Sequence, residues 1–282
     1  MKGVVLVLLL LPHVADVNAP RELRRVPGDG HTSTLRIVTW NIDHGSNLSE
    51  ITADLRKREP DLLLLQEVDW NAARSGLKDV AFELAASLDD NASYGIEFEE
   101  LSQEKNGAAY IGQATLTRLP LTQSRVLRFQ RQSTFWQPHA WLPNVPLMQR
   151  RLGNRIALVT EHQFAGKLLV VYNPHLESRS MGRIQMEQLD EILADLKQHY
   201  PPDTNAIIAG DMNSKYYPST FLRKMEQAGF HSALGSRIER THKIAMSLDW
   251  IFVRGPFTLE DGTVDKSAQG SDHYPVSVKL HS

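Results

Sequence analysis

The stretch Ala206-Ile207-Ile208-Ala209-Gly210-Asp211-Met212-Asn213 decides the fold. A short aliphatic run bounded by turn residues reads as a strand buried on both faces, and it ends abruptly in a carboxylate and an amide. The same arrangement recurs along the chain. Leu35 to Trp40 runs into Asn41 and Asp43, Leu62 to Leu65 into Gln66 and Glu67, and Leu168 to Tyr172 into Asn173, Pro174 and His175. In two further runs the order reverses: Asp249 precedes Trp250 to Val253, and Asp272 with His273 precedes Tyr274 to Leu280. If four strands end and two begin at one rim of a sheet stack, a mixed sheet gathers these polar side chains into one cleft, where α/β folds keep their sites.

Between the runs lie amphipathic stretches. Leu48, Ile51 and Leu55 share a helical face before Pro60; Leu77, Val80, Leu84 and Leu88 share another; Leu189, Ile192, Leu193 and Leu196 form a third before Pro201. Ser219 to Gly229 reads as a short helix closed by Gly229. These leucines are core, and the alternation defines an α/β domain from Leu35 to Ser282.

Composition narrows the possibilities. The chain has 282 residues, 41% hydrophobic and 23% charged, so it has the makings of a sizeable core, and repeats are absent. A net charge of −2 excludes indiscriminate coating of a polyanion. With no cysteine, thiolate zinc sites, disulfides and cysteine nucleophiles are excluded. Lys2, the apolar run Val4 to Leu11, and Val17 with Ala19 read as a signal peptide cleaved after Ala19, which predicts a secreted or periplasmic protein. The run is far shorter than the roughly 20 apolar residues of a membrane span. Residues 20–34 read as an exposed linker, and a monomer is expected.

The rim inventory is Asn41, Asp43, Glu67, Asn173, His175, Asp211, Asn213, Asp249, Asp272 and His273. Carboxylate and amide oxygens suit a hard cation, Mg²⁺ or Mn²⁺, with Glu67 the best ligand. His273 with Asp249 is the favoured oriented imidazole. A cation, a carboxylate to orient water and donors for the phosphoryl oxygens are what phosphoester hydrolysis needs. Singly, each motif has a plainer reading: Gly-Asp-Met-Asn as a turn, Ser-Asp-His as a loop, Asp249 as a partner for Arg254. Their joint occurrence at strand edges outweighs those readings.

Thr39-Trp40-Asn41, Leu65-Gln66-Glu67-Val68, Asn173-Pro174-His175-Leu176, Gly210-Asp211-Met212-Asn213, Leu248-Asp249-Trp250-Ile251-Phe252 and Gly270-Ser271-Asp272-His273-Tyr274-Pro275-Val276 together resemble the endonuclease/exonuclease/phosphatase superfamily. The blocks extend from Leu35 to Leu280. The resemblance implies a deoxyribonuclease-like, four-layered α/β sandwich with two packed, mostly antiparallel mixed β-sheets flanked by helices. It also implies a metal-dependent phosphoester hydrolase, while leaving open nucleic acids, phosphoinositides, sphingomyelin and other phosphoesters as substrates. By resemblance, Glu67 holds the metal with Asn41 and Asp272 nearby, and Asp43 matches only some branches. His273 acts with Asp249, Asp211 is the rival for water activation, and Asn213, His175 and Asn173 serve the phosphate.

Gly112-Gln113-Ala114 stands where many bacterial relatives carry Asn, so Gln113 either shapes the cleft floor or packs. The segment Phe129 to Arg155 is the least family-like and reads as a long loop. Trp136 and Trp141, with Arg150, Arg151 and Arg155, either form a substrate wall or pack beneath the loop. His242 and Lys243 are similarly open. A nuclease is the leading expectation, a lipid-headgroup or small-molecule phosphodiesterase the alternative, and a non-catalytic binding protein the third.

Overall fold

The computed structural model describes residues 16–25, 32–136 and 138–282. Most of the expected signal segment, residues 1–15, lies outside the described residues. In chain order the elements are β1 (Arg21–Leu23), β2 (Thr34–His44), α1 (Leu48–Arg58), β3 (Leu62–Trp70), α2 (Val80–Leu88), β4 (Asn91–Glu99), β5 (Tyr110–Thr117), β6 (Leu121–Arg128), β7 (Leu152–Gly153), β8 (Ile156–Phe164) and β9 (Lys167–Pro174). Then follow α3 (Arg183–His199), β10 (Asn205–Asp211), α4 (Pro218–Gln227), β11 (His231–Ser232), β12 (Asp249–Arg254), β13 (Thr258–Val264) and β14 (Val276–His281).

The strands form two sheets. One has the order β1-β4-β5-β3-β2-β14-β13, with β7 also on β4; the other has the order β11-β12-β10-β9-β8-β6. Each contains one parallel pair, β2 with β3 and β9 with β10, and is otherwise antiparallel. The sheets pack face to face through Ile37, Leu64, Val171, Ile207, Ile251 and Val278. On the outer face of the first sheet, Val38, Trp40 and Leu65 meet Ile51 and Leu55 of α1 and Leu84 of α2. On that of the second, Val170, Tyr172 and Ile208 meet Leu189 and Ile192 of α3 and Phe221 of α4. The result is the expected four-layered sandwich. Each fully buried aliphatic side chain in these layers contributes roughly 1.5–3 kcal/mol.

Helix chemistry matches the reading with one shift. Helix α1 carries Glu50 in its first turn and Arg56, Lys57 and Arg58 in its last, complementing the helix dipole. Helix α2 begins at Val80, because the Asp79 side chain accepts from the Phe82 N–H and caps it. Leu77 therefore lies outside the helix, at φ 61°.

The exposed linker expected at residues 20–34 is corrected at both ends. Arg21–Leu23 pair with Ala92–Tyr94 at the edge of the first sheet, and Thr34 already belongs to β2. Arg21 is fixed there by Asp79, 2.6 Å away, and by the Trp70 ring, 3.6 Å from its guanidinium carbon. These contacts are too far apart in sequence to be read locally. No helix among the described residues is long and apolar enough to cross a membrane.

The expected rim forms. The paired strands put Asp211 opposite Asp249 and Val276 opposite Thr39, while His175 bridges to Asp211. Gly210 keeps β9 and β10 close, since a Cβ there would stand 2.2 Å from the Pro174 carbonyl oxygen. Gly210→Ala is expected to force these strands apart and cost about 1–3 kcal/mol, measured by urea unfolding. Unchanged stability would show that this spacing is not fixed by backbone contact.

Candidate active site

Local irregularities aim the side chains. The β2–β3 register shifts between Asn41 and His44, and the β3–β5 register shifts between Leu65 and Val68. Asp43, His44 and Glu67 consequently adopt φ values of 44°, 67° and 52°, and Asn213, just beyond β10, has φ 46°. Left-handed backbone at non-glycine residues is costly and concentrates where geometry matters for function. Here it turns Glu67 out of the sheet and into a cleft of 470 Å³ lined by His175, Asp211, Asn213, Asp272 and His273 among others.

His273 Nδ1 lies 2.8 Å from Asp249 Oδ2, leaving Nε2 directed at Asp211 Oδ2, 3.8 Å away. The His273 backbone is pinned as well, its N–H donating to Ser271 Oγ and its carbonyl accepting from Trp40 Nε1. Burial alone would lower the His273 pKa. The charge and hydrogen bond of Asp249, with Asp211 and Asp272 adding, outweigh burial and raise it to about 10.

Asn41 Nδ2 donates to both Glu67 Oε1 and Asp211 Oδ2, at 3.2 Å each, and its oxygen accepts from the Asp43 N–H. Asn41 thus ties two carboxylates together, with its oxygen already engaged. Burial would raise the Glu67 pKa, but His175, His44, the Asn41 hydrogen bond and His273 bring it down to about 2. Asp211 Oδ1 accepts from the Asn213 N–H, while the Asn213 amide donates to the Leu176 carbonyl.

His175 sits between carboxylates, its Nε2 3.6 Å from Asp211 and 3.8 Å from Glu67, its Nδ1 3.2 Å from Glu97. Arg155 Nη1 lies 2.8 Å from His175 Nδ1 and 2.6 Å from Glu97 Oε1. Gln113 donates to Glu97 Oε2, which places it under the cleft as a support for Glu97.

Several expected residues take other places than the reading gave them. Asn173 is fully buried; its amide donates to the Leu65 and Ala114 carbonyls and its oxygen accepts from Gln66, so it joins the sheets and has no group left for a phosphate. Asp272 groups with His242 and His273 apart from the Glu67 group, and His242 Nε2 is 3.2 Å from its carboxylate. Of the tryptophans, only Trp136 reaches the cleft: Nε1 donates to Ser178 Oγ, and the Arg151 guanidinium lies 4.3 Å from its ring. Trp141 is 79% exposed, and Arg150 lines an adjoining depression with Phe135 and Met148. Lys243 is exposed.

The sequence reading missed His44, Glu97, Arg179 and Lys215, and gave Arg155 only as one of the loop arginines. His44 follows Asp43 directly and carried the clearest signal. Glu97 lies inside β4 and Arg155 between strands, so neither marks the end of an apolar run.

The donor set fits a divalent cation. Asp43, Glu67 and Asp211 form ion pairs only with histidines among the described residues. Asp43, His44 and Glu67, and separately Asp211, Asp249 and His273, can each bring one ligand atom within 4.8 Å of the others. Clustered carboxylates with no guanidinium or ammonium in contact leave negative charge for a cation to neutralise.

The raised His273 pKa has a signed consequence. With EDTA present, the stability it confers should be complete below pH 6.5 and lost as pH rises through about 10. Asp249→Asn should flatten that decline, read from urea unfolding across this range. An unaltered pH dependence in the variant would break the assignment of the ion pair.

The fold is similar to the endonuclease/exonuclease/phosphatase from Beutenbergia cavernae, with 19% identity over 89% of this chain and 72% of that one, at TM-score 0.63. It is similar to a humanized D. rerio TDP2 carrying 14 mutations, with 20% identity over 89% of this chain and all of the other (100%), at TM-score 0.60. The endonuclease/exonuclease/phosphatase from Bacteroides vulgatus matches at 15% identity over 89% and 99%, at TM-score 0.62. No curated protein matches. The family model described as "Endonuclease/Exonuclease/phosphatase family" matches residues 38–273.

Proposed function

Since this chain belongs to the endonuclease/exonuclease/phosphatase family, and is thereby a phosphoester hydrolase, we propose that it is a nuclease-type phosphodiesterase dependent on Mg²⁺ or Mn²⁺. Family members generally require a divalent metal. Glu67 would hold it with its neighbouring carboxylates, and when bound it would supply positive charge to the phosphoryl oxygens.

The protein's own groups divide the remaining work. Asp249, bonded to Nδ1, and Asp211, facing Nε2, both favour the protonated ring, so His273 serves as a cationic donor to a phosphoryl oxygen. Asp211 is then the group that takes the proton from the attacking water. Asn41 and the Asn213 N–H hold its two oxygens, fixing the carboxylate for that role. Asp249 keeps the His273 ring in place.

The observation that carries the nucleic-acid reading is the division of the cleft. Beside the carboxylates, the cleft is lined by Arg151, Arg155, Arg179 and Lys215. Arg155 and Arg151 pair with Glu97 and Glu100. Among the described residues, Arg179 and Lys215 have no carboxylate within salt-bridge distance; Arg179 lies against the Phe135 ring and Lys215 donates to the Ser178 carbonyl. A polynucleotide brings a second phosphate to such a wall, whereas a choline headgroup would bring another cation.

A second reading has its own support. Phe135, Trp141, Val145, Leu147 and Met148 are all exposed on one loop, with Leu147 at 93%. Apolar side chains of this kind suit a phosphodiesterase working at a lipid surface. Secretion or a periplasmic location, supported by the Lys2, Val4 to Leu11 and Val17/Ala19 pattern, forms part of the proposal.

Supercoiled plasmid should be nicked in Mg²⁺ or Mn²⁺ and protected by EDTA. His273→Ala and Asp211→Asn should each lower kcat about 10²–10⁴-fold with circular dichroism unchanged. Arg179→Ala or Lys215→Ala should raise KM and reduce the logarithmic salt slope by about 1 each. Intact plasmid beside turnover of vesicle phosphodiesters that depends on Trp141 would replace the nuclease by the lipid enzyme.

A further inference from the structure

Resting on the metal-dependent reading above, we propose that His44 is a direct ligand of the cleft cation, so that Asp43, His44 and Glu67 form a mixed imidazole–carboxylate site selecting a transition cation such as Mn²⁺ over Mg²⁺. Three observations meet at this residue.

The ring is positioned as a ligand. His44 Nδ1 lies 3.5 Å from Glu67 Oε2, and Nε2 lies 3.6 Å from Asp43 Oδ1. Both distances are longer than ordinary hydrogen bonds, and one ligand atom from each of Asp43, His44 and Glu67 lies within 4.8 Å of the other two, close enough to share an ion. Nδ1 is buried and has no hydrogen-bond partner, a state that costs free energy unless something else occupies the lone pair.

The backbone is shaped for this arrangement. The register shifts in β2 and β3 fall side by side, bringing Asp43, His44 and Glu67 together at left-handed φ values. A regular strand would alternate Asp43 and His44 to opposite faces of the sheet. The bulge instead lets consecutive residues address one point.

The surroundings supply charge. Asp69, fully buried and held by Arg74 at 2.8 and 2.7 Å, places its carboxylate 3.9 Å from His44 Nδ1. Arg74 thus keeps a further carboxylate beside the same ring nitrogen, adding negative charge where the cation would sit. Imidazole favours softer first-row cations, whereas Mg²⁺ prefers oxygen and water, so adding His44 to two carboxylates tilts the site toward Mn²⁺.

Purified protein carrying Mn²⁺ would be examined by electron spin-echo modulation for ¹⁴N coupling, with Mg²⁺ competition giving relative affinity. Wild type should show directly bonded nitrogen. His44→Asn should lose it and bind Mn²⁺ about 10–100-fold more weakly, with Mg²⁺ affinity little changed. Asn is the chosen replacement because it tolerates positive φ, and thermal unfolding in EDTA checks that the fold is kept. Coupling that persists in His44→Asn would assign the nitrogen to His175 or His273 and overturn the proposal. Bound Mn²⁺ without coupling, or no bound Mn²⁺, would also overturn it. Nitrogen-coupled Mn²⁺ in a protein that turns over no phosphodiester would instead retain the His44 site and remove the functional reading.

Discussion

The Asn173 carboxamide is the constraint on which the site rests. It belongs to β9 in one sheet and donates to Leu65 of β3 and Ala114 of β5 in the other. Its oxygen takes the Gln66 amide at 2.7 Å. Few side chains can satisfy two carbonyls and one donor at once in a water-free interface. Glu67 adjoins Gln66, and His175 stands two residues beyond Asn173, so this cross-sheet knot sets how far apart the Glu67 and His175 sides of the cleft lie. An isosteric apolar residue would remove all three of these cross-sheet bonds.

A second layer of order comes from charge. Under the cleft runs an alternating series in which Asp69 holds Arg74, Arg74 approaches Glu100, and Glu100 holds Arg151 at 2.8 Å. Glu97 and Arg155 repeat the pairing closer to His175. Buried ions like these are poor sources of stability, since desolvation consumes most of what attraction returns. Their effect is positional: they hold the guanidinium groups on Asp69, Glu97 and Glu100 and leave Asp43, Glu67 and Asp211 without a guanidinium partner among the described residues.

Much of this was legible in the sequence because the polar groups sit where apolar runs stop. Asp211 and Asp249 mark strand ends, His273 precedes β14, and Asn41 and Glu67 close apolar runs at the points where β2 and β3 bulge, so tertiary structure only had to bring these points to one rim. The leucine faces of α1 and α3 were readable for the same local reason. What escaped depends on long-range geometry. Arg21 joins the edge strand through Trp70 and Asp79, which nothing near residue 21 announces. Asn173 carries the same amide whether it binds phosphate or joins sheets, and only its packed surroundings decide. His44 lies one residue past a recognised carboxylate, on what alternation alone assigns to the opposite face; the bulge that overrides alternation has no signature in a single sequence.

The three-residue strand β1 has a consequence for how the molecule meets its own copies. It occupies the outer hydrogen-bonding edge of β4 along Ala92–Tyr94, and β7 occupies Phe98 and Glu99 further along the same edge. An uncovered sheet margin is a template for another chain. The first residues of the described fold are therefore a selvedge that keeps the larger sheet from fraying into edge-to-edge growth. A polypeptide trimmed to begin at Leu35 would retain the residues of the cleft and lose that border.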